Sequence, residues 1–169
     1  YRELCKTEPT IPIFSKEWWL DAVCGEDNWG AVVIEKSGNI VGALPYYMIR
    51  KKGFNRITMP PLTQTMGPWI KYPPNQKYTN RLSHEKDIYT EIISRLPDFG
   101  DFQQNFNYRV TNWLPFFWQG FQATTRYTYV IENLDDLDEV LLRFKDNMRN
   151  KIKKARKIVS VVDEDRKST

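Results

Sequence analysis

The stretch Asp101 to Glu132 constrains this chain most, because it carries two period-2 patterns that only a sheet can satisfy. In its first arm Phe102, Gln104, Phe106, Tyr108 and Val110 fall on one side, and Gln103, Asn105, Asn107 and Arg109 on the other. In its second arm Thr125, Tyr127, Tyr129 and Ile131 alternate with Thr124, Arg126, Thr128 and Val130, a β-branched and aromatic mixture suited to a half-buried pleated surface. Between the arms, Trp113, Phe116, Phe117, Trp118 and Phe121 crowd around Pro115 and Gly120. The reading is two strands joined by a connector too aromatic for an ordinary solvated loop.

The rest of the chain supplies elements to pack on such a sheet. Phe14 to Trp19 starts a helix, with Ser15 as cap and Phe14 stapled on Trp19, that runs to about Val23 and stops at Gly25. Ala31 to Lys36, the turn Ser37-Gly38-Asn39 and Ile40 to Ile49 predict a β-hairpin, and Phe54 to Met59 a third strand. Leu62 to Pro74 reads as an irregular segment of amides, hydroxyls and an aromatic. Ser83 is placed to cap a helix from His84 to Leu96, with Ile88, Ile92 and Leu96 on its apolar stripe and Pro97 as its stop. Acids at Asp135, Asp136, Asp138 and Glu139 precede an amphipathic basic helix, broken near Asp146-Asn147, and Ile158 to Val162 ends the pattern as a strand.

Composition excludes several classes of function. At 169 residues the chain fits one domain with a real core, and no apolar run is long enough to span a bilayer or to open a signal peptide, so the expected compartment is the cytoplasm. Cys5 and Cys24, without a second pair or a histidine cluster, imply neither a disulfide framework nor a metal site. The single histidine, His84, opens a predicted exposed helix and makes a catalytic triad improbable. Charge is localised: Arg143 to Lys157 holds eight basic residues and one acid, which from totals of 25 and 21 leaves 17 basic and 20 acidic residues elsewhere. Basicity belongs to one segment, where Arg149, Lys153 and Arg156 form the candidate contact surface.

No self-contained catalytic motif is present: there is no G-x-S-x-G, phosphate loop, dinucleotide fingerprint, H-E-x-x-H or C-x-x-C. What remains is a binding constellation of amides and aromatics: Gln64, Trp69, Asn105, Asn107, Trp113, Arg126, Tyr127 and Tyr129. Trp69 and Trp113 read equally as core residues, and Asn105 and Asn107 as a strand's water-facing side. Arg126, a guanidinium among strand aromatics, suits a carboxylate or phosphate.

The run Gly120 to Ile131, then an acidic helix start, then Met148-Arg149-Asn150-Lys151-Ile152-Lys153-Lys154-Ala155-Arg156-Lys157, resembles the lobe junction of Fem-type acyltransferases. These are enzymes related to GNAT acyltransferases, with two tandem lobes, that add amino acids to peptidoglycan precursors. Their pattern there is Q-x-x-T-x-Y-x-x-x-L followed by R-x-x-I-x-K-A. The resemblance implies an α/β fold of the GNAT kind, a mixed, mostly antiparallel twisted sheet flanked by helices. Residues 1–132 would form a first lobe, and residues 133–169 a basic helical linker and strand leading into a second lobe outside this chain. It implies transfer of an acyl or aminoacyl group to an amine acceptor such as a cell-wall precursor, this lobe mainly binding the acceptor. The donor, acetyl-CoA or another acyl-CoA or an aminoacyl-tRNA, would be bound by the full-length protein and not by this chain alone, since the Q/R-x-x-G-x-G/A turn that cradles pyrophosphate is missing. The isolated chain is therefore expected to be inactive, with no catalytic residue identified. Two other readings stay open, a glycan-binding module with coplanar exposed aromatics and an RNA-binding module that stacks bases beside the basic helix.

Overall fold

A computed structural model describes residues 1–51 and 53–160. The backbone forms α1 (Arg2–Thr7), a 3-10 turn (Ile13–Ser15), α2 (Glu17–Cys24), β1 (Trp29–Lys36), β2 (Asn39–Lys51), β3 (Phe54–Thr58), β4 (Trp69–Ile70), α3 (Tyr78–Ser94), β5 (Asp101–Phe102), α4 (Leu114–Trp118), α5 (Leu137–Leu142) and α6 (Asp146–Ala155). Two units result, Tyr1–Thr124 and Thr125–Thr169. The first is a mixed α/β domain whose sheet is mostly antiparallel and flanked by helices. The order is β1-β2-β3-β5, with β4 also on β2, and only the β3 to β5 pairing is parallel.

The predicted hairpin is the centre of this unit. Ser37 and Gly38 take φ of 51° and 74°, the left-handed pair that turns a strand back in two residues, and Lys36 pairs with Asn39. Alternation along β2 then sorts residues to two helical layers. Leu44 joins Ile34, Ile70, Ile88, Tyr89, Ile92 and Phe116 in one core, under α3, while Ala43 joins Cys5, Ile11 and Trp69 in another, under α1. Gly42 permits the close approach of α3: a β-carbon there would lie 2.4 Å from Ile88 Cγ2. The staple of Phe14 on Trp19 forms edge-on at 5.0 Å, but Lys16 takes the N-cap position of α2 and Ser15 is buried in the turn before it. Gly25, at φ 82°, ends α2 where its sequence predicts.

Several expectations fail, each for a traceable reason. The first arm of the predicted strand pair contributes only Asp101–Phe102 to the ladder, because from Asn105 onward its backbone bonds to the segment around Met66 instead. The second arm, Thr125 to Ile131, has no ladder at all: a period-2 pattern marks a surface fit for pairing, and a strand forms only if an edge is there to pair with. Helix α3 begins at Tyr78, so Ser83 lies inside it and bonds back to the Thr79 carbonyl rather than capping.

In the second unit Asp136 caps α5 by accepting from the Asp138 and Glu139 amides at 3.0 and 2.9 Å. The break in the amphipathic pattern falls between Leu142 and Asp146, slightly before the expected place. Ile158–Ser160 form no strand, and Val161 and Val162 lie outside the described residues. Among the described residues no helix is long and apolar enough to cross a membrane.

Candidate functional site

Three of the predicted binding residues meet at one edge of the first unit. The Met66 amide donates to the Asn105 carbonyl, and the Asn107 amide to the Met66 carbonyl, both at 2.7 Å, bracketing the parallel bridge of Met66 with Phe106. Two segments about forty residues apart are thereby held in register, and the asparagine side chains of one reach across to the other. Asn105 Nδ2 reaches the Gln64 carbonyl at 3.5 Å and Asn107 Nδ2 reaches Thr65 Oγ1 at 3.4 Å. Both contacts are long, so the Nδ2 groups of these half-buried residues retain donor capacity for a ligand, whereas Asn107 Oδ1 is held by the Arg109 amide at 3.1 Å. Trp19 Nε1 donates to Thr63 Oγ1 at 3.0 Å and fixes the loop from α2. The edge offers amides and hydroxyls, suited to a polar ligand.

Trp69 takes the core position that its sequence also allowed. It is 8 % exposed on β4, with its Nε1 donating to Thr10 Oγ1 at 2.8 Å. The aromatic connector divides between core and surface. Phe116 is buried and Phe121 half-buried, the two meeting edge-on at 5.5 Å, whereas Trp113, Phe117 and Trp118 face outward on α4. Arg126, Tyr127 and Tyr129 belong to the second unit, and the two tyrosines are 96 % and 102 % exposed, so the half-buried strand environment proposed for them is absent. Arg149, Lys153 and Arg156 do gather. With Asn150 and Lys157 they line one open concavity of about 750 Å³ over Leu141 and Ile152, where Arg149 pairs with Asp146.

Sequence reasoning missed a second polar cluster. Glu85 is 3 % exposed, yet its carboxylate accepts from the Tyr72 hydroxyl at 2.8 Å, Arg81 Nε at 3.0 Å and Asn112 Nδ2 at 2.8 Å. Burial alone would raise its pKa, but the donors from Asn112, Tyr72 and Arg81 outweigh it and hold the carboxyl below the usual range. Tyr72 moves oppositely: burial, and then its bond to the Glu85 anion, push the phenol up to about 12. Arg81 also lies 4.2 Å over the Tyr72 ring. The signal was available, since Glu85 falls on the same helical stripe as Ile88, Tyr89 and Ile92. An acid on an apolar stripe needs partners. With its oxygens occupied, Glu85 ties α3 to the segments on either side and is a poor general base. Among the described residues no group of three or more His, Cys, Asp or Glu is placed to hold a metal.

Fold and site together define a mixed α/β domain with an amide-lined edge. No protein-family signature and no curated protein matches the chain. Among solved structures it is similar to the ribosomal-protein-alanine N-acetyltransferase of Brucella melitensis biovar Abortus 2308, at 13 % identity and a TM-score of 0.34, over 69 % of this chain and 81 % of that one. So low a score fixes neither a family nor the role of any residue.

Proposed function

We propose that this chain is the acceptor-binding part of an N-acyltransferase, with a fold of the GNAT kind and related to the Fem-type enzymes. The observation that carries the reading is the convergence of Gln64, Asn105 and Asn107 on one edge, because an amine-bearing acceptor needs neutral acceptors and donors that hold it without trapping it as an ion pair. Acyl transfer to an amine requires a neutral nitrogen in line with the carbonyl and donors toward the developing oxyanion, so positioning supplies most of the rate and no covalent enzyme intermediate is needed. The chain's own share is to orient the acceptor. An acyl-CoA or an aminoacyl-tRNA would be bound by further sequence of the same polypeptide in the cytoplasm, and a cell-wall precursor is the acceptor class that the Fem likeness favours.

The test uses the natural full-length polypeptide, with labelled acetyl-CoA or aminoacyl-tRNA and a panel of peptidoglycan-precursor amines. Asn105→Ala and Asn107→Ala should each raise the acceptor KM by roughly five- to tenfold, the worth of one hydrogen bond, and leave the donor KM unchanged. Absence of transfer from either donor, or variants that alter only the donor KM, would sink the reading.

The rival modules have less support. Trp113 and Phe117 meet at 89°, which is no flat platform for a sugar ring. Basic residues do share one concavity on α5 and α6, and a nucleic acid or a tRNA-borne donor would use it. Binding of RNA that falls steeply with salt, without any acyl transfer, would favour that alternative.

A further inference from the structure

The outward face of α4 is left unexplained by acceptor binding. Trp113, Leu114, Phe117 and Trp118, at helical offsets of zero, one, four and five, occupy one side of the turn and are 41, 46, 55 and 58 % exposed, while Pro115 and Phe116 are buried on the other. An element of five residues thus exposes a contiguous apolar face. Tyr108, 53 % exposed, precedes it in the same segment.

Its charge surroundings indicate the partner. No Asp or Glu occurs from Phe102 to Ile131, although acids are frequent before and after. The cations lie against the rings: Lys86 Nζ of α3 is 5.7 Å over Trp118, and the Arg109 guanidinium 5.8 Å over Tyr108. Indole and phenyl groups with cations at their margin, on a stretch of chain that itself carries no acid, are the chemistry of a surface that enters the headgroup region of an anionic bilayer, with rings in the acyl boundary and cations at the phosphates; the buried Glu85 of α3 is already held by Tyr72, Arg81 and Asn112. A sugar would want parallel rings, and these are edge-on. A protein partner would bury a larger patch, with hydrogen-bonding groups at its rim.

We infer that the α4 face is a peripheral membrane-docking site, inserting Trp113, Leu114, Phe117 and Trp118 into the interface of anionic lipid. This holds whether or not the chain serves acyl transfer, because none of these residues belongs to the Gln64, Asn105 and Asn107 edge.

The experiment is co-sedimentation of the chain with large vesicles of phosphatidylcholine, alone or mixed with phosphatidylglycerol, together with quenching of tryptophan emission by brominated acyl chains. The unaltered chain should partition onto the mixed vesicles and its emission be quenched. Phe117→Ser/Trp118→Ser should lower the partition coefficient at least tenfold and relieve the quenching. Leu114→Ser, a milder change on the same face, should lower it severalfold, and circular dichroism checks that each variant is folded. Three results overturn the inference: no binding to either vesicle; binding that survives the α4 variants but is lost in Arg149→Glu/Lys153→Glu, which would assign it to the basic helix; or an α4 face that proves, by sedimentation velocity, to be covered by a second copy of the chain.

Discussion

Truncating Glu85 to alanine should destabilise the first unit by about 3 kcal/mol. The carboxylate serves three donors, and two of them, the Tyr72 hydroxyl and Asn112 Nδ2, are part-buried and lose their acceptor, at about 1–1.5 kcal/mol each. Arg81 is half-exposed and its pairing adds less than about 1 kcal/mol. For a chain of this size that total lowers Tm by roughly 6–12 °C. Glu85→Gln should cost much less, because its carbonyl still accepts from Tyr72 and the Asn112 amide can rotate to face the new amide with its oxygen. Urea unfolding followed by circular dichroism reads both, and Asn112→Ala completes a cycle whose coupling should be about 1 kcal/mol. The sign with pH is fixed. The folded pKa of Glu85 lies below its ordinary value of 4.5, so its contribution is complete above that value and disappears as pH falls through the folded value. Below pH 4.5 the gap between the unaltered chain and Glu85→Gln should therefore close. An alanine variant within 0.5 kcal/mol of the unaltered chain, or a glutamine variant as damaging as alanine, would refute the reasoning.

Three further outcomes follow from single contacts. Gly42→Ala should destabilise by about 1–3 kcal/mol, since its methyl meets Ile88 Cγ2, and the penalty should shrink when combined with Ile88→Ala in the same urea assay. Asp136→Ala removes the acceptor of two free amides at the start of α5 and should cost that helix about 1 kcal/mol, seen as faster hydrogen exchange at Asp138 and Glu139. Burial, and then the Asp21 charge, push the Cys24 thiol up to about 11, so at pH 8 only about a thousandth is thiolate. Alkylation of Cys24 by iodoacetamide, followed by mass spectrometry, should be far slower than that of a free cysteine, and a comparable rate would contradict this environment.

Local chemistry was enough for what lies within a few residues. The β1 to β2 hairpin was legible because Ser37-Gly38 supplies left-handed backbone between alternating apolar runs, and the end of α2 because Gly25 can adopt a φ that its neighbours resist. The apolar stripe of Ile88 and Ile92 was legible too, and it packs into the core with Ile34 and Leu44. The candidate amides Gln64, Asn105 and Asn107 were chosen for their type, and their meeting could not be read from it.

Tertiary structure decided everything that depended on a partner distant in the chain. Whether Asp101 to Val110 became a long strand turned on the backbone of Met66, which took the hydrogen bonds of Asn105 and Asn107 and cut the ladder to two residues. Whether Trp69 bound a ligand or filled the core turned on the first segment of the chain, where Cys5 of α1 and Ile11 beyond it pack with the indole. Glu85, which the sequence alone did not single out, is buried because Tyr72 and Asn112 come from other segments to satisfy its carboxylate. Turn and cap geometry costs or gains free energy within one stretch of chain, so sequence fixes it locally. Desolvation and hydrogen bonding depend on which distant atoms displace water, and only the assembled fold specifies those.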